Sequence, residues 1–139
     1  MATCPDTRNR TIPTIGVVAL SAGALTIAVF PYAWLGKIYR PFGQWMDTYF
    51  WAESAHHVAH TVDFVGVSIV LLSLYASLRR NYLLFILSIL AVAGIQEGLQ
   101  LMYKKRLVAW NDGKDVVVDV VAATAAYLVF MVARRIRRA

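Results

Sequence analysis

Four stretches of the chain are almost wholly apolar, and short polar or basic segments punctuate them. Residues 15–35, 58–78, 82–103 and 116–133 each approach the roughly 20 apolar residues that a helix needs to cross the hydrocarbon core of a bilayer. The first follows Arg8 and Arg10 and contains the small run Ser21-Ala22-Gly23-Ala24, so it shares features with a secretory leader. Its apolar core is longer than a leader's, and it reads as an uncleaved helix that Pro31 kinks or ends. Between the first and second stretches, Phe42, Trp45, Met46, Tyr49 and Phe50 recur at helical spacing, while Gln44, Asp47 and Thr48 fall elsewhere. That pattern predicts an amphipathic helix over 39–51, suited to the headgroup zone.

The connections set the topology. Arg79, Arg80 and Asn81 leave room only for a tight turn, which predicts that the second and third spans are antiparallel neighbours. Asn111-Asp112-Gly113 signals a turn before the fourth. The fourth span opens on the β-branched run Val116-Val117-Val118, but its length favours helix over strand. The expectation is therefore an all-α chain with one transmembrane domain over 1–139, built as a four-helix integral membrane bundle with an added interfacial helix.

Composition fits that class and excludes others. Hydrophobic residues make up 59% of the chain and charged residues only 16%, too apolar for an ordinary soluble domain of this size. The formal net charge of +6 sits in clusters at Arg8/Arg10, Arg79/Arg80, Lys104-Lys105-Arg106 and Arg134-Arg135-Arg137-Arg138. Each cluster flanks a span, which points to lipid headgroups as partners and away from nucleic acid. The tails and the Arg79–Arg80 turn carry the larger share of Lys and Arg, so the positive-inside bias puts both termini in the cytoplasm, in a bacterial inner membrane. Cys4 is the single cysteine, which rules out an internal disulfide and a cysteine-rich metal site.

The candidate chemistry lies in polar residues inside the apolar stretches. His56, His60 and Asp63 share one face of the second span, and His57 points away from it. Glu97 and Gln100 share a face of the third. Asp115 and Asp119, after Asp112, share a face at the head of the fourth. Ionisable groups in hydrocarbon are costly, so the three stripes are expected to face one another or a wet cavity near a single membrane surface. Four roles remain open at this point: hydrogen-bonded glue between helices, a pocket for a polar headgroup with Lys104, Lys105 and Arg106 as phosphate contacts, acid–base catalysis, or ligation of a metal or haem by His56, His57 or His60. No catalytic residue, cofactor or metal is assigned. His56 and His60 with Glu97 would suit a zinc ion, but the chain has no His-Glu-x-x-His sequence.

His56–Phe64 (HHVAHTVDF), Glu97-Gly98-Leu99-Gln100, Arg106 and the run opening on Asp115 together resemble the VanZ-like family of small membrane proteins over about residues 56–133. His60, Glu97, Gln100, Arg106 and Asp115 match in order the family's histidine, Glu-x-x-Gln, arginine and aspartate positions. Asp119 stands where the family has asparagine and Ala122 where it has glycine, and the loop between Arg106 and Asp115 is longer. The resemblance implies a cell-envelope role on lipid-linked or surface components. The family's founding member is associated with antibiotic resistance, to the glycopeptide teicoplanin, and no reaction is carried over from it. The alternative is a non-catalytic accessory subunit of a larger membrane complex, energy-transducing or photosynthetic, docked through 39–51 and Arg134–Arg138.

Overall fold

The computed structural model describes residues 14–30, 32–50, 53–105 and 110–139, and all regular structure among them is helical. Three helices are long and apolar enough to cross a membrane: Ser54–Leu74 and Tyr82–Met102, each 21 residues, and Gly113–Ile136, 24 residues. They belong to α4 (Glu53–Leu74), α6 (Tyr82–Lys104) and α7 (Trp110–Ile136).

The stretch expected to form one span over 15–35 instead forms α1 (Thr14–Val29), of 16 residues, and the short α2 (Tyr32–Ile38). Helical geometry ends at Phe30, where a following proline disfavours the helical backbone region and supplies no N–H of its own. The Tyr32 hydroxyl donates to the Ile27 carbonyl at 2.8 Å and ties the two sides of the break together. Burial, and then the Asp63 carboxylate, hold that phenol above the usual tyrosine pKa, so it remains a donor.

The expected amphipathic helix is α3 (Arg40–Tyr49), which carries a proline in its first turn and buries none of its residues. It folds back on α2 at a pair of glycines. A Cβ placed on Gly43 would sit 2.4 Å from the Gly36 carbonyl oxygen, so this close crossing requires glycine.

Two expected turns take helical form. The Arg79–Arg80 connection is α5 (Ala76–Arg80), set off by extended residues at Tyr75 and Asn81. Asn81 then caps α6, its side-chain oxygen accepting from the Leu84 N–H at 3.0 Å. Asn111-Asp112-Gly113 lies within the first turns of α7. At its other end α6 stops on Lys105, in left-handed geometry at φ 50°.

α4 packs along α7 and α1, while α6 packs on α7 and α1. The expected adjacency of the second and third spans is therefore not found; α4 and α6 stand diagonally across the bundle, and the extra helical turn of α5 gives the chain the reach to cross it. They meet through the core, where Phe64 and Leu72 of α4, Phe85 and Ile89 of α6 and Ala123 of α7 are fully buried. Small residues at Ala93, Ala122 and Ala123 let the helices approach closely. Val58, Val62, Leu83, Leu87, Val121 and Val129 face outward, as surfaces covered by acyl chains do.

The two ends of the bundle are chemically unlike. At the α5 end, Arg79, Arg80, Arg134, Arg135 and Arg138 line a cleft of about 650 Å³. Arg79 donates through Nη1 to the Leu72 and Ser73 carbonyls at the end of α4, and its own carbonyl accepts from Tyr127 at 3.0 Å. Burial, and then Arg134, Arg138 and Arg80, press its pKa below the usual arginine value. The opposite end gathers the histidines and carboxylates.

Phe64 fills the centre of this packing. Phe64→Ala should lower unfolding free energy by about 3–5 kcal/mol, read as a fall in the thermal midpoint of the detergent-solubilised protein.

Candidate functional site

α4 supplies the histidines because its first three turns place residues 56, 60 and 63 on one side, at spacings of four and three. α7 runs alongside and places Asp115 and Asp119 one turn apart against them. The central contact joins His60 Nδ1 to Asp119 Oδ1 at 2.9 Å. Both residues are buried, with Asp119 wholly inaccessible. In such a place a carboxylate needs a donor and an imidazole needs an acceptor, and each supplies the other.

One turn nearer the helix starts, His56 Nε2 lies 3.4 Å from Asp115 Oδ2 and His57 Nε2 lies 3.5 Å from Asp115 Oδ1. One carboxylate thus bridges two adjacent histidines. The expectation that His57 points away is corrected here: Asp115 sits over the groove between positions 56 and 57 and reaches both rings through different oxygens. The His56 and His60 rings meet edge to face at 4.6 Å.

α6 closes the site from the far side of α7. Glu97 is buried and, with Asp119 and Asp115, is one of the negative charges acting on His60. Asp63 is half-buried and feels both His60 and Asp119. Gln100, with Gln96, Asp63, His56 and His60, lines a cavity of about 1050 Å³. Its other walls are largely aromatic and apolar, from Phe30 just after α1 and from Phe42, Trp45, Met46 and Phe50 in and after α3, with the charged Lys37 and Asp47 among them. Phe42 stacks on Trp45 at 5.8 Å, and Trp45 packs on Phe50 at 5.3 Å. The apolar face of α3 is thereby turned over a polar floor.

The expected stripes converge: His56, His60, Asp63, Glu97, Gln100, Asp115 and Asp119 gather at one end of the bundle. The expected phosphate contacts are Lys104, Lys105 and Arg106. Arg106 is outside the described residues, as is the side chain of Lys104, and Lys105 is exposed at the end of α6. Lys37 of α2 is the lysine that lines the cavity.

Gln96 escaped the sequence reading, although it lies four residues before Gln100 and so shares its face. It is 7% exposed, and its side-chain oxygen has no hydrogen-bond partner among the described residues. The second carboxylate oxygen of Asp119 is likewise buried without one. A buried polar atom left unsatisfied costs about 1–3 kcal/mol, which marks these two as acceptors held ready for a donor. The site offers imidazole, carboxylate and amide groups on an aromatic-walled cavity, a set able to hold a polar headgroup or pass a proton.

No family model, curated protein or solved structure matches this chain.

Removing either member of the His60–Asp119 pair alone orphans the other inside the bundle. A double-mutant cycle of His60→Leu and Asp119→Leu, followed by unfolding in detergent, should give a coupling of about 1–3 kcal/mol. Additive losses would mean that the contact does not hold α4 to α7.

Proposed function

We propose that this is a VanZ-like membrane protein of the bacterial cell envelope that binds the polar headgroup of a lipid-linked or other amphiphilic molecule. The observation that carries the reading is the buried Gln96 side-chain oxygen, without a hydrogen-bond partner among the described residues, on the floor of the aromatic-walled cavity. A polar network that served only to hold helices together would satisfy its own members. Here an acceptor is held open beside Gln100, Asp63 and His60, with Lys37 at the same cavity. Amide and carboxylate oxygens accept from the hydroxyl and amide donors of a headgroup, and the lysine offers a charge to a phosphate. The aromatic and apolar walls from Phe30 and α3 suit the first part of an attached chain.

In this reading α1 enters the bilayer beside the three long helices and makes a fourth crossing. The arginine-rich end, with Arg79, Arg80, Arg134, Arg135 and Arg138, lies at the cytoplasmic surface of the inner membrane. The histidine–carboxylate end then opens toward the periplasmic leaflet, where lipid-linked envelope components are handled. The protein binds and presents its ligand without a reaction of its own.

A photoreactive amino acid substituted for Trp45, activated in cells, tests the reading by mass spectrometry of the adducts. The expected result is one predominant amphiphile whose recovery falls at least tenfold in Gln96→Leu and Asp63→Ala backgrounds that still fold. Adducts that mirror bulk phospholipid and ignore both substitutions would overturn it.

A further inference from the structure

We infer that His56, His60 and Asp115 form a binding site for a divalent transition-metal ion of the zinc class. Each residue can offer one ligand atom, and the three atoms all lie within 4.8 Å of one another. Two of the donors already stand at a coordination spacing. His56 Nε2 and Asp115 Oδ2 are 3.4 Å apart, and two ligands about 2.1 Å from a tetrahedral ion are separated by roughly 3.4 Å.

The third ligand carries its own support. His60 gives Nδ1 to Asp119 Oδ1 at 2.9 Å, which fixes the ring and leaves Nε2 as its ligand nitrogen. A carboxylate behind a histidine is the arrangement that orients metal-binding imidazoles and raises their basicity. Asp119 is wholly buried and Asp115 nearly so. Both are thus dry, rigid groups, unlike exposed acids that gather by chance.

Charge balance points the same way. Asp63, Glu97, Asp115 and Asp119 converge on this end of the bundle, and a dication offsets repulsion among carboxylates that hydrocarbon does not screen. Two imidazoles and one carboxylate favour zinc, cobalt or nickel over magnesium or calcium, which take oxygen ligands. His56 and His60 both line the cavity, so a fourth coordination position faces it. A metal there would hold an exchangeable water or an oxygen of a bound headgroup. The inference goes beyond the headgroup reading and does not require it, because the ion is held by protein atoms alone.

Cobalt(II) tests the site optically. The full chain with Cys4→Ser, purified in mild detergent and stripped with chelator, is titrated with Co²⁺ and then challenged with Zn²⁺. The expected result is one Co²⁺ per chain with the intense visible absorption of a low-coordinate centre, bleached by one equivalent of Zn²⁺. Half-exposed His56 tolerates replacement, and His56→Ala should abolish the spectrum with helicity unchanged by circular dichroism. Asp119→Asn should weaken Co²⁺ binding by about 10–100-fold, the usual effect of losing a residue that orients a ligand. A spectrum that never develops, or one that survives His56→Ala, would overturn the assignment. Metal binding that persists in Gln96→Leu while the Trp45 adduct is lost separates this site from the headgroup pocket.

Discussion

Hydrocarbon supplies no hydrogen-bond partner, and that constraint organises the bundle around the His60–Asp119 contact. Asp119 is wholly inaccessible and sits inside the longest of the spanning helices. A carboxylate in that position is tolerable only against a donor held at short range, and His60 is that donor. The contact fixes the register of α4 on α7 to within a side chain. From that register follow the bridging of His56 and His57 by Asp115, and the step of nearly one turn further in that brings Asp63 toward Asp119. The apolar interior then continues the same register, with Phe64 immediately after Asp63 in the core and Ala122 and Ala123 after Asp119.

The division of the molecule into an acidic end and a basic end has a second consequence. Arg79 is engaged with the carbonyls that close α4, and its buried Nε has no partner among the described residues. Among the described residues, the charges acting on it are the like charges of Arg80 in α5, Arg134 in α7 and Arg138 just after α7. Such a cluster is least costly against an anionic lipid surface, where each arginine keeps its charge solvated by headgroups. The opposite end is built on a different rule: its charges face inward, partner one another and surround a cavity instead of a surface. A basic rim and an inward acidic nest at opposite ends make the bundle polar along its long axis, consistent with one preferred orientation in a membrane.

Much of this was legible in the chain because spacing along a helix determines which side chains share a face. Positions 56, 60 and 63, 97 and 100, and 115 and 119 had to form stripes once the segments were helical, and low dielectric had to bring the stripes together. Four things were not legible. Whether 15–35 stays one helix depends on how the chain leaves Phe30 before a proline, and α1 stops at Val29. The tripeptide Asn111-Asp112-Gly113 reads as a turn in isolation, yet the same residues serve as the opening of α7. The short Arg79–Arg80 link implied adjacency of α4 and α6, because sequence distance says nothing of the helical turn that spans the diagonal. The expected outward direction of His57 and the silence of spacing on Gln96 have a common reason: the place of each is set by what stands opposite, Asp115 in one case and the cavity in the other. The position of Gln96 four residues before Gln100 was the available signal.

The unsatisfied acceptors bear on the choice between cohesion and binding. If the polar cluster existed only to join helices, selection among rotamers and residues would leave it saturated, since every orphaned group in a low-dielectric interior subtracts from stability. Ser68 shows how little a lone hydroxyl needs, for it can turn to a carbonyl of its own helix. Gln96 and Asp119 have no such local recourse: an amide oxygen and a carboxylate oxygen can accept only from a donor brought to them. Gln96 lies on the aromatic-walled cavity that the histidines line, and Asp119 lies behind one of those histidines, His60, rather than in the apolar seam of Phe64, Phe85 and Ile89. Acceptor capacity held in reserve at the histidine–carboxylate end of the bundle, beside imidazoles already oriented by carboxylates, suits a donor-bearing or cationic ligand. Helix cohesion alone gives no reason for it.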